Sequence, residues 1–165
     1  MKRFFALLGV FGLVALGFGL GLLYSLTRTG PLRVNEDAIV ADVPRDFVTA
    51  TLERGALTYL DIQPKASEAK TLFIFYPGGL VRPQAYQWLG VALAPLGVRT
   101  LIPVLPYDLA VLAPRRAGAL LAALEWQGPV VLGGHSLGGA MAARFALEEP
   151  EALDGLVLMG AYSAE

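Results

Sequence analysis

The sequence predicts an α/β fold: a mostly parallel sheet with helices on both faces, preceded by one transmembrane helix. Three observations predict it. Four short runs, TLFIFY, VRTLIPV, PVVLGG and DGLVLMGA, are apolar almost throughout and so suit strands covered on both faces. Segments of helical length separate them, in the order strand, helix, strand, helix, strand, helix, strand, which implies right-handed βαβ crossovers. Ahead of them lies an unbroken apolar stretch, Phe4–Leu26.

As a helix, that stretch would span about 34 Å, enough for a hydrocarbon core of ~30 Å. A secretory signal peptide cleaved after Ala15-Leu16-Gly17 is the alternative, but the hydrophobicity continues well beyond that point. Residues 1–27 are therefore read as an anchor. Lys2 and Arg3 precede it, and Arg28 and Arg33, offset by Glu36 and Asp37, follow it. This slight bias places the domain on the extracytoplasmic side. Gly17 and Gly21 have GxxxG spacing, a weak signal in a glycine-rich run. Residues 28–46 are polar, with Pro31 and Pro44, and read as a linker to a core over 47–165.

Phe47–Leu52 and Ala56–Ile62, broken by Arg54-Gly55, read as a hairpin. Thr71 opens the first buried strand, closed by PGG. RPQAYQWLGVALAPLG follows as a helix, with Pro83 in its first turn and Gly97 at its end. Trp88, Val91, Ala92 and Pro95 are expected on its inner side. VRTLIPV is the next strand. DLAVLAPRRAGALLAALEWQG is mostly helical, broken or restarted at Pro114. PVVLGG, a small-residue helix LGGAMAARFALEEP and DGLVLMGA complete the series.

Composition bounds the function classes. Of 165 residues, 16% are charged and 55% hydrophobic, with net charge −1; soluble domains average about 25% charged. No cluster of Lys and Arg suits nucleic acid. There is no cysteine and a single histidine, so no thiol chemistry, metal site or cofactor is expected.

The chemistry concentrates at Gly134-His135-Ser136-Leu137-Gly138, a G-x-S-x-G match between a buried strand and a helix. That is the context a nucleophile elbow requires. Ser136 would stand at the apex of a strained turn, with Gly134 and Gly138 keeping the turn open. The new helix directs its N-terminal N–H groups at any developing anion, so the Leu137 amide is the first oxyanion donor. The second is expected from FYPGGL, with Gly79 favoured and Leu80 as the alternative. A nucleotide-binding reading is weaker, because GGHSLGG lacks the P-loop's Gly-Lys-Ser/Thr ending and is not a clean G-x-G-x-x-G.

Together, FYPGGLVRPQAYQWLGVALAPLGVRTLIPVLPYDLAVL, GGHSLGGAMAARFA and LDGLVLMGAYSA resemble the α/β-hydrolase superfamily. More narrowly, they resemble the small bacterial α/β-hydrolase fold-5 group, some of whose members carry an N-terminal membrane segment. The resemblance covers about Thr71 to Ser163. It implies a Ser136 nucleophile, oxyanion amides at Leu137 and in the Gly78–Leu80 loop, and hydrolysis of an ester or related acyl bond in a small-molecule substrate.

The family's triad runs Ser, then Asp or Glu, then His, yet no histidine follows Ser136. His135 is a poor base, because adjacent side chains at a sharp turn diverge; it reads as structural or pocket-lining. Glu165 as the acid would have no histidine to orient. Tyr107 and Asp108 fall near the active edge as loop or pocket residues. The expectation is a C-terminally incomplete core whose acid and histidine lie further along, with a catalytically inactive binding protein as the alternative.

Overall fold

The computed structural model describes residues 2–28 and 48–162, with side chains inside the first helix described for 9–24. The chain divides into two units, one holding that helix and the other the sheet. Much of the expected linker, as well as Phe47 and Glu165, lies outside the described residues.

Helix α1 spans Lys2–Arg28. Its described side chains are all exposed within its own unit. Among the described residues no helix is long and apolar enough to cross a membrane.

The second unit is one six-stranded sheet in the order β1-β2-β4-β3-β5-β6. The expected hairpin forms from β1 (Val48–Glu53) and β2 (Tyr59–Pro64). It joins antiparallel to β4 (Val98–Pro103), while β3 (Thr71–Tyr76), β4, β5 (Val130–His135) and β6 (Gly155–Met159) run parallel. A bidentate ion pair fixes the antiparallel seam: Arg99 donates to Asp61 through Nε at 3.0 Å and through its terminal nitrogen at 2.6 Å. The Asp61 carboxylate supports the guanidinium charge, and Arg99 is held above its ordinary value.

Alternation along β3 explains the two-sided burial. Leu72, Ile74 and Tyr76 meet α3 (Arg116–Leu124) and α4 (Leu137–Glu148) through Ala117, Leu120, Ala142 and Phe145. Phe73 and Phe75 face the other way, with Leu60, Ile62, Ile102, Ala85 and Tyr86. On that face lies α2 (Gln87–Leu93), flanked by short 3-10 turns at Pro83–Tyr86 and Ala94–Leu96. Gly97 ends the segment at φ 80°, as its lack of a Cβ permits. The second helical segment is shorter than its sequence span, with 3-10 turns at Pro106–Asp108 and Ala110–Leu112 before α3.

The inner face of α2 corrects the sequence expectation. Trp88 is 38% exposed, and Ala92 and Pro95 are exposed, whereas Val91 packs partly buried against the core, as expected. The sheet is met by Ala85, Tyr86, Gly90 and Ala94, with Leu89, Val91 and Leu93 packed beside them. A Cβ on Gly90 would lie 2.5 Å from Ile62 Cδ1. Gly90 therefore lets the helix lie close to the strands.

Candidate active site

The chain leaves β3 toward β4, then crosses back over β3 to reach β5. The carboxyl ends of β3 and β5 thus flank a switch point, where open α/β sheets bind ligands. Pairing of Tyr76 with Gly134 sets the PGG loop beside the G-x-S-x-G turn.

Ser136 joins β5 to α4 with φ 50° and ψ −121°, a conformation L-residues seldom adopt. The expected elbow geometry is thus present. Its side chain is exposed and makes no capping bond to the helix. The Ser136 N–H donates to the Met159 carbonyl at 2.9 Å, which fixes the turn on β6.

The glycines are required by contact. A Cβ on Gly134 would lie 2.5 Å from the Gly138 carbonyl. On Gly138 it would fall onto the carbonyl oxygens of Tyr76 and Pro77, and on Gly139 onto the Ala161 side chain. These are backbone atoms in the first two cases, and they have no room to move.

The structure brings Gly79 and Leu137 together: a Cβ on Gly79 would lie 3.3 Å from Leu137 Cδ2. The loop's other amides are committed. Gly78 N–H donates to the Tyr86 hydroxyl at 3.1 Å. Leu80 N–H donates to the Asp108 carbonyl at 2.9 Å, and Val81 N–H to the Gly78 carbonyl at 3.1 Å. The Leu80 alternative is therefore corrected, since its N–H is spent on the loop after β4. Among the described residues, Gly79 and Leu137 N–H have no protein acceptor.

Tyr107 and Asp108 lie at this edge, as expected. Tyr107 is 74% exposed, and Asp108 is buried. The Asp108 carboxylate stands 3.4 Å from Arg82 Nε, so this residue ties the two loops by backbone and by charge. Among the described residues, five non-glycines have positive φ: Leu80, Tyr107, Asp108, Glu125 and Ser136. Four of them sit on the loops after β3, β4 and β5. Such clustering of strain is typical of functional sites.

His135 is half-buried, on the α2 face of the sheet. Its Nδ1 lies 2.9 Å from the Tyr86 hydroxyl, and its Nε2 faces Gly160. It is engaged away from the serine, in keeping with a structural role. Burial holds the Tyr86 phenol above its ordinary value, while the Gly78 N–H bond acts in the opposite sense. Sequence reasoning missed Tyr86. The one available signal was a tyrosine on the buried side of a helical turn, whose hydroxyl needs a partner there. Among the described residues no group of three or more His, Asp or Glu is placed to hold a metal.

Residues 72–165 match the family model described as the alpha/beta hydrolase family. No curated protein matches. Among solved structures, a laboratory-evolved variant of potato epoxide hydrolase is similar at TM-score 0.57 and 18% identity, over 72% of this chain and 41% of that one. A bacterial heroin esterase gives TM-score 0.55 and 18% identity, over 74% and 47%. A thermostable carboxyl esterase from Bacillus coagulans gives 0.53 and 12%, over 67% and 43%. The chain spans less than half the length of each of these three structures.

Proposed function

Because the chain belongs to the alpha/beta hydrolase family, we propose that it is a membrane-anchored serine hydrolase acting on an ester or related acyl bond of a small molecule. Ser136 is the nucleophile, and the Leu137 and Gly79 amides receive the oxyanion. The observation that carries this reading is the strained, exposed Ser136 beside two amides that have no acceptor among the described residues. Attack by the serine oxygen on an acyl carbon moves negative charge onto the acyl oxygen. Preorganised N–H groups stabilise that charge most where it develops, and one such donor is worth about 10²–10³ in rate.

The esterase neighbours fit this reading, and the epoxide hydrolase shows that the fold alone does not choose the bond. A serine hydroxyl at the elbow is what favours acyl transfer. The triad acid and histidine are assigned to no described residue. Phe4–Leu26 is proposed as the single membrane span, with the sheet unit on the extracytoplasmic side.

The test is hydrolysis of short-chain p-nitrophenyl esters by the membrane fraction of cells carrying the full reading frame. Activity should remain in the pellet after an alkaline carbonate wash and vanish in Ser136→Ala. Failure of the unsubstituted protein to cleave any of them would sink the catalytic reading. A second reading, a binding protein on a hydrolase fold, has one observation in its favour: the histidine beside Ser136 is engaged with Tyr86. It expects ligand binding that survives Ser136→Ala, with no turnover.

A further inference from the structure

We infer that Tyr86, seated on His135, is the positioning residue that latches the Gly78–Leu80 loop and so aims the Gly79 N–H at the space above Ser136; this rests on the serine-hydrolase reading for its catalytic consequence.

The Tyr86 hydroxyl stands between two groups from different parts of the chain. It accepts the Gly78 N–H at 3.1 Å and lies 2.9 Å from His135 Nδ1. Having accepted from Gly78, the hydroxyl keeps its own proton to give, and Nδ1 accepts it in the tautomer that carries its N–H on Nε2. Packing fixes the ring. Tyr86 is 9% exposed, and its centroid lies 5.0 Å from that of Phe75 and 5.9 Å from that of His135. The fit beneath the loop is tight: a Cβ on Gly78 would lie 2.8 Å from His135 Nδ1 and 3.0 Å from the Tyr86 oxygen. Glycine is thus required for the loop to sit on the pair.

The consequence is local. Gly78 is held from below by Tyr86, and Leu80 from the side by the Asp108 carbonyl. Gly79 lies between two tethered peptides, so the direction of its N–H is set by both. The histidine beside the serine thereby acts through Tyr86 on the opposite wall of the site, without touching the reacting atoms. Releasing one tether lets the Gly79 amide swing, and a displacement of the order of 1 Å can cost up to about 10² in rate.

The test compares the chain in detergent micelles with Tyr86→Phe, His135→Leu and His135→Asn. Asn retains an acceptor, so it is the conservative rescue. Two quantities are read: hydrogen exchange at the Gly78 amide, and the rate at which an alkyl fluorophosphonate modifies Ser136. Tyr86→Phe should speed Gly78 exchange roughly tenfold and slow modification by about 10–100-fold, at a Tm close to that of the unsubstituted protein. His135→Leu should do the same, and His135→Asn should restore both. Unchanged Gly78 exchange in Tyr86→Phe overturns the latch. So does an unchanged modification rate where the unsubstituted protein is labelled. If Ser136 is never labelled, the hydrolase reading fails on its own account, and exchange alone decides: loss of protection supports the latch, and equal protection refutes it.

Discussion

Ser136 carries a side chain where the backbone favours none. At φ 50° and ψ −121°, only glycine is at ease, and a strained residue of this kind costs about 1–3 kcal/mol. Ser136→Gly should therefore raise stability by about 1 kcal/mol, after the larger chain entropy of glycine is subtracted. Ser136→Ala keeps the Cβ and should raise it little. Urea unfolding of the two variants measures the difference; equal midpoints would show that the turn stores no strain. At this scale the elbow was legible, because Gly134, Ser136 and Gly138 form a local pattern with a steric cause. Tyr86 was not, because its partners lie 8 and 49 residues away and no spacing rule links them. The preference for Gly79 over Leu80 was legible only as a choice; the Asp108 carbonyl that occupies the Leu80 amide belongs to another loop.

Among the elements, β3 shows what periodicity can reveal and α2 what it hides. TLFIFY is apolar at every position after Thr71, and both faces of the strand are covered. For α2, Trp88, Ala92 and Pro95 were expected inside and are exposed, because contact with Ile62 demands a residue without a Cβ at position 90. Gly90→Ala should destabilise the sheet unit by about 1–3 kcal/mol through overpacking. Ile62→Val, which trims the nearest clashing atom at 2.5 Å, should recover part of the loss. A double-mutant cycle measures this; strict additivity would mean that the two residues do not press on each other.

For the whole molecule, the α/β class and the strand order along the chain were legible. The placement of the hairpin beside β4 was not, because no local signal chooses a sheet edge. Long-range ties such as Tyr76 hold the layers together. Its hydroxyl accepts the Ala117 N–H at 2.6 Å and donates to the Pro114 carbonyl at 3.0 Å, binding β3 to the start of α3. Burial pushes this phenol up to about 12, against 10.0 for an ordinary tyrosine. The folded state thus keeps a proton that the unfolded chain releases first. The resulting stability is fully present below pH 10.0 and is lost as pH rises from there through about 12, at up to about 1.4 kcal/mol per pH unit. Burial raises Tyr59 and Tyr86 as well, which adds to the same trend. Denaturant unfolding across this window should give a smaller alkaline loss in Tyr76→Phe than in the unsubstituted protein. Equal slopes would deny that Tyr76 titrates in step with folding.

The central claim is that Ser136 is a nucleophile presented to an oxyanion site. The most direct measurement is mass spectrometry of the protein from its full reading frame after exposure to an alkyl fluorophosphonate. The expected result is a single adduct on the peptide containing Ser136, absent in Ser136→Ala. An unmodified Ser136, or equal labelling of other serines in both proteins, would contradict the claim.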